Sequence, residues 1–249
     1  NPNLAHLKIN SNIAHSKGAG IYCYTENELT SASRILISDN TSVGHGGGIF
    51  LSAGSIINLQ FSTIAGNMVG EGEVFGAGIY SDGGTANLIN SIVYYNRREG
   101  DSDINYNLNG YTMEILKEYN VIYSNIEGDE NWIPDGDGNI SVNPEFSDHE
   151  YSAYTLQAGS PCIDFGIADL NGDGEDDLTA DYDYFGSAPD LGTYELNLAE
   201  EGDLSSSIQM YIKNVNIEEG KLDIYMTNQP SCSYCQNQTY NTSTTSPPH

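Results

Sequence analysis

Ile37-Ser38-Asp39-Asn40, Gly46-Gly47-Gly48-Ile49-Phe50 and Ile64-Ala65-Gly66-Asn67 follow one another in the chain, and their recurrence decides the fold. The first and third are one element: an aliphatic residue, two variable positions and Asn. It also runs from Ile9 to Asn12, Val93 to Asn96 and Ile122 to Asn125. Asn12, Asn40, Asn67, Asn96 and Asn125 are therefore 28, 27, 29 and 29 residues apart. The second element returns as Gly18-Ala19-Gly20-Ile21-Tyr22 and Gly76-Ala77-Gly78-Ile79-Tyr80, in steps of 28 and 30. Two linked elements with nearly constant spacing define an internal repeat.

The residues inside the unit choose its structure. Arg34-Ile35-Leu36-Ile37, Ile56-Ile57-Asn58-Leu59-Gln60-Phe61 and Leu88 to Tyr95 are rich in β-branched and aromatic residues and bounded by Gly, Asn and Ser. Such runs form short strands closed by turns. A unit with several short strands cannot bury its own apolar face and must stack on its neighbours. The expected fold is all-β: a right-handed, single-stranded parallel β-helix, a solenoid of the pectate-lyase type. Coils about 4.8 Å apart put equivalent side chains over one another. Ile21, Ile49 and Ile79 then form an inward aliphatic column, and Tyr22, Phe50 and Tyr80 an outward aromatic one. The five asparagines form an amide ladder at a corner, and the glycines supply tight corners.

On these elements the sequence resembles the chlamydial polymorphic outer membrane proteins and related bacterial right-handed β-helix repeats. Their marks are Gly-Gly-Ala-Ile and Phe-x-x-Asn, with Ile or Val here in place of Phe. Gly138 to Phe146, Tyr154 to Gly166 with Ser160-Pro161-Cys162-Ile163-Asp164, and Ala188-Pro189-Asp190-Leu191-Gly192-Thr193-Tyr194-Glu195 look like the segment that caps secreted bacterial β-helices. The resemblance covers about residues 1 to 196. It implies the fold and a secreted or cell-surface setting.

The expected organisation is β-helix coils over 1–135, a last coil and cap over 136–196, a linker with a β-hairpin over 197–229, and a Ser/Thr/Asn/Pro-rich tail over 230–249. The 249 residues carry 8 Lys+Arg against 35 Asp+Glu, a formal charge of -27. That balance repels phosphate backbones and excludes nucleic acid as a partner. No run of 18 apolar residues suggests a transmembrane segment.

Three groups of residues invite a chemical reading. Asp169, Asn171, Asp173, Glu175 and Asp177 alternate around glycines as oxygen ligands of a Ca²⁺ loop do; the twelfth position is Ala180, so Asp181 one place later, or Asp177, would have to supply the last ligand. Tyr22, Phe50 and Tyr80 offer flat apolar platforms for surface glycans. Cys232 and Cys235, with two residues between them, suit a local disulfide or a covalent link to a neighbour. His45-Gly46-Gly47-Gly48 imitates an oxyanion hole, but no Gly-x-Ser-x-Gly nucleophile exists and the repeat explains the glycines.

A polysaccharide lyase or glycosidase is the alternative function. Arg97-Arg98 is the lone basic pair in the repeats, and the candidate carboxylates Asp39, Asp82, Asp101 and Asp103 do not recur in the tight cluster of a polygalacturonase. With no catalytic residues recognisable, the leading expectation is a structural or adhesive surface protein. It associates with itself into oligomers or filaments, or with surface glycans, without catalysis.

Overall fold

The computed structural model describes residues 3–24, 29–72, 74–100, 107–110, 119–128, 133–147, 153–178, 184–197, 209–216 and 221–227. Among these, every regular element is a strand. The chain divides into two compact units, Asn1–Leu196 and Asn197–His249.

In the first unit each coil visits four sheets in turn. The long sheet contains Asn3–Ala5, Leu29–Ser33, Ile56–Gln60, Thr85–Ile89 and Tyr119–Ile122. The flanking sheet contains Lys8–Asn10, Leu36–Ser38, Thr63–Ala65, Ile92–Tyr94 and Asn125–Ile126. The short sheet contains Ile13–Ala14, Thr41–Ser42, Met68–Val69 and Arg97–Arg98, and the aromatic sheet Ile21–Cys23, Ile49–Leu51, Ile79–Ser81 and Leu108–Gly110. All pairings among the four are parallel, each strand lying on its equivalent one coil away. The fold is a parallel β-helix.

The interior is built of stacked columns. Ile9, Ile37, Ile64, Val93 and Ile126 pair in register, as do Ile21, Ile49, Ile79 and Leu108. A third column, Leu4, Ala32, Leu59, Leu88 and Val121, comes from the long sheet. Most of these side chains are fully buried in one continuous cluster. Alternation along the long strands sends Ile57, Leu59, Ala86 and Leu88 inward and leaves Asn58, Gln60, Asn87 and Ile89 on the outside.

Corners are made in two ways. His6, Arg34, Phe61, Asn90 and Tyr123 occupy one corner with φ between 45° and 52°, a left-handed conformation reached by non-glycine residues. Each such residue costs roughly 1–2 kcal/mol, and a column of serines meets part of that cost. Ser62 N–H donates to the Ser91 hydroxyl and Ser91 N–H to Ser124, at 3.2 and 3.0 Å. The corner before the aromatic sheet uses glycine instead. Gly46 has φ +72°, and a Cβ there would stand 2.6 Å from the Ile49 carbonyl oxygen.

Ile140 continues the stack, bridging in parallel to Asn125. Beyond it the chain turns and runs back as a strap along the outer face of the flanking sheet. Phe146, Tyr154, Leu156, Cys162 and Leu191 bury themselves there against Leu36, Ala65 and Ile92. These three point outward in the midst of a solenoid, so their apolar character required a cover. Asn90 Nδ2 donates to Ile167 O at 2.8 Å, and Thr193 bonds both Thr63 Oγ1 and the Ile35 carbonyl, at 3.0 and 2.9 Å.

The second unit contains an antiparallel hairpin of Gln209–Asn216 and Lys221–Thr227. Cys232 and Cys235 lie outside the described residues. Cys23 and Cys162 are free, buried thiols, each pushed up to about 11 by burial.

Candidate functional site

The asparagine ladder exists, with one member changed. Asn12, Asn40 and Asn67 each donate Nδ2–H to Oδ1 of the next asparagine at 2.9 Å, ending on Asn96. The same oxygens accept the backbone N–H one coil earlier, at 3.0, 3.0 and 2.9 Å. Asn40, Asn67 and Asn96 are fully buried, and an amide in an apolar interior must find its partners there. Gly20, Gly48 and Gly78 make room: a Cβ on them would lie 3.0–3.2 Å from a ladder Nδ2 and within 2.6 Å of a backbone oxygen in the next coil.

Asn125 does not extend the ladder. The spacing of Ile122 to Asn125 imitates the repeat, but the strand register places Ile126 in the aliphatic column and Asn125 over Ile92. Asn125 instead fastens the strap, donating to the Val142 carbonyl at 2.8 Å and accepting Val142 N–H at 3.1 Å. Its ladder place belongs to Asn107, which stands where earlier coils have glycine and fills the vacated room with its own amide. Asn96 Nδ2 donates to Asn107 Oδ1 at 2.8 Å. Asn107 Nδ2 donates in turn to the Glu127 carboxylate at 3.1 Å. Glu127, 6% exposed, is clamped by Arg97 through two bonds of 2.7 and 2.6 Å. The stack of neutral amides thus ends on an ion pair.

Tyr22, Phe50 and Tyr80 stack with ring centroids 5.0 and 5.6 Å apart. The column is not an open platform, however. Phe50 is 1% and Tyr80 5% exposed, leaving Tyr22 alone half-exposed. The reason is local: corner residues fold back over the rings. The Lys17 ammonium sits 4.5 Å from the Phe50 centroid, and His45 stacks on Tyr80 at 4.2 Å. Phe75 N–H donates to His45 Nδ1 at 3.0 Å and fixes that lid. A sugar ring has no access to Phe50 or Tyr80.

In the acidic loop the ligand-like oxygens serve the loop itself. Asp169 accepts Gly172 N–H, Asp173 N–H and Gly174 N–H at 2.6, 3.1 and 2.8 Å. The Gly174 bond, with help from the others, holds its carboxyl below the usual range. Asp177 accepts Leu170 N–H and Asn171 N–H at 2.7 and 2.9 Å. Asn171 Oδ1 accepts Asp173 N–H and Asp173 accepts Glu175 N–H, both at 2.9 Å. Among the described residues no three His, Cys, Asp or Glu side chains converge as a metal set, and Asp181 lies outside them. Asp169 Oδ2 and Asp177 Oδ1 each accept a single bond, so the carboxylates keep acceptor capacity beyond the loop's own amides.

The carboxylates and basic residues considered for polysaccharide cleavage are likewise engaged. Asp39 accepts the Tyr154 hydroxyl, Asp82 faces Lys17 at 3.8 Å, and Arg98 donates to the Gly72 carbonyl at 2.9 Å. Asp101 and Asp103 lie outside the described residues.

The sequence reading passed over the outer face of the long sheet. Ser31, Asn58, Asn87 and Asn120 pair in register across four strands. Asn120 Nδ2 donates to Asn87 Oδ1 and Asn87 Nδ2 to Asn58 Oδ1, both at 2.6 Å. This second ladder is accessible and donates in the opposite direction along the solenoid from the buried one. Gln60, Ile89 and Ile122 flank it and help line a shallow groove. Asn58 and Asn87 occupy matching places in their strands 29 residues apart, a signal overshadowed by the stronger Ile-x-x-Asn element.

Stacked columns, corner glycines and a polar ladder define the class, a parallel β-helix repeat protein. No family model, no characterised protein and no solved structure matches the chain. Among the described residues no helix is long and apolar enough to cross a membrane.

Proposed function

We propose that this chain is a structural or adhesive module of the cell exterior. It holds a neutral, extended partner, a surface glycan, along the outer face of its long sheet and carries out no chemistry on it. One observation supports this reading above others. In a chain of charge -27, the outward positions Ser31, Asn58, Gln60, Asn87, Ile89, Asn120 and Ile122 include no charged residue. A row of amides at coil spacing, about 4.8 Å, offers donors and acceptors with aliphatic contacts beside them, the mixture that neutral sugars require. The secreted setting enters through the resemblance of the repeat.

Association of the chain with itself belongs to the same reading, because an uncharged flat face also suits a second copy. Retention on an array of neutral glycans, with Asn87→Asp placing a charge mid-face, tests the proposal. Loss of retention in the variant is expected; equal retention overturns the assignment of this face. Sedimentation across a concentration series separates glycan capture from self-association, since only the latter shifts mass without a glycan.

A further inference from the structure

The accessible ladder on the long sheet changes character at one end. Ser31, Asn58, Asn87 and Asn120 are in register on four successive strands. The three asparagines bond in one direction, Asn120 Nδ2 to Asn87 Oδ1 and Asn87 Nδ2 to Asn58 Oδ1. One coil further on, the column has Ser31, which carries no amide to take the next bond. Asn58 and Ser31 are both half-buried. Among the described residues, the Asn58 amino group and the Ser31 hydroxyl have no hydrogen-bond partner.

The polarity of the ladder decides what that end accepts. Aligned amides polarise one another, so Asn58 Nδ2 is the donor end of a chain of three and favours a strong acceptor. The field of 35 Asp+Glu against 8 Lys+Arg disfavours an anion there. Among neutral acceptors an amide carbonyl is stronger than a sugar hydroxyl or ring oxygen, and it is the group the column itself uses. An acetamido group has the CO–NH unit of an asparagine side chain. Set over Ser31, one coil spacing of about 4.8 Å from Asn58, it continues the ladder. Its oxygen then accepts from both Asn58 Nδ2 and the Ser31 hydroxyl.

We infer that the long-sheet face selects an N-acetylated neutral glycan, with an acetamido carbonyl on Asn58 and Ser31 and sugar rings along Asn87, Ile89 and Ile122. This inference rests on the reading of the face as a neutral-glycan site. Ile122, 38% exposed, and Ile89 give the apolar contact that the underside of a ring takes. The groove they line with the ladder, about 350 Å³, is in the range of small-molecule sites. A peptide strand suits this face less. Leu29–Ser33, Ile56–Gln60 and Thr85–Ile89 each pair on both sides, so the face offers side chains and no free backbone edge on which a strand adds.

Calorimetric titration of the full chain with the β-1,4-linked trimers of N-acetylglucosamine and of glucose, and with a peptide of alternating Asn and Ser, tests the inference. The acetylated trimer is expected to bind about ten-fold tighter than the glucose trimer, the worth of one or two neutral hydrogen bonds. Ser31→Asn supplies the fourth amide from the protein itself, so that variant should bind the two trimers alike. Its retained hold on the glucose trimer shows that it folds. Equal binding of the two trimers by the parent overturns the inference and leaves the neutral-glycan reading standing. Binding of neither removes that reading and the inference with it. A Ser31→Asn variant that keeps the preference overturns the inference, as does tighter binding of the peptide, which would make the occupant a protein.

Discussion

The Tyr154 hydroxyl donates a hydrogen bond of 2.7 Å to Asp39 Oδ1, joining positions 115 residues apart. Burial, together with the bond to Asp39, raises the phenol far above its ordinary range, so it remains a donor. Gly66 makes the contact possible. Ser11, Asp39 and Tyr95 hold the same corner in other coils, and a Cβ on Gly66 would collide with the Tyr154 hydroxyl. Tyr154→Phe should cost about 1–2 kcal/mol in urea unfolding and Gly66→Ala more, since it adds a left-handed side chain to the clash. A neutral Tyr154→Phe would mean that apolar contacts alone hold the strap.

Asn67→Ala removes an amide that bonds Asn40, Asn96 and the Ile37 carbonyl. It strands several buried groups at once and should destabilise by about 3 kcal/mol or more. Asn58→Ala, on the accessible ladder, should cost under about 1 kcal/mol. Similar losses in both would contradict the difference in burial.

Glu127→Gln keeps the shape at the end of the buried ladder but takes away the charge that Arg97 faces. Arg97 is partly exposed, 28% for its side chain, so the expected loss is about 2 kcal/mol rather than the 3–5 of a fully buried pair. The double variant with Arg97→Gln should recover part of it. A double-mutant cycle without coupling would dismiss the pair.

Burial and the Lys17 charge hold His45 below the usual imidazole range, opposed by the Asp82 charge. A lowered folded pKa means that the unfolded chain takes up the proton first. The stabilisation is therefore present above about pH 6.5 and lost as pH falls through the folded value. Melting temperatures of the parent should fall as the pH drops below about 6.5, with a shallower slope in His45→Gln. Parallel slopes would remove His45 from the account.

With Asp169 and Asp177 already bonded to loop amides, millimolar calcium should leave the melting temperature within about one degree of its value in chelator. A rise of several degrees, abolished by Asp173→Ala, would show that the loop opens to take the ion.

The solenoid was legible because Ile49 and Gly46 answer to local rules: an inward position on a strand and a corner that excludes Cβ. Asn125 misled because a spacing carries no register. An altered last coil moved Ile126 into the column and brought Asn107 to the ladder from a position with no repeat signature. Phe50 looked outward correctly, but its cover comes from His45 and Lys17 in loops whose path no periodicity dictates. The strap was readable as a segment and not as a direction, since its contacts with Leu36, Ala65 and Ile92 are all long-range.

That strap changes how the molecule should come apart. A bare stack of coils couples only nearest neighbours, so its ends fray and its unfolding spreads over a range of conditions. Here one segment grips Asn125, Asn90, Thr63 and Ile35 in turn. No coil among these can melt without releasing a contact shared with the others. The linear array becomes a closed circuit, and loss of order in the solenoid should be all-or-none.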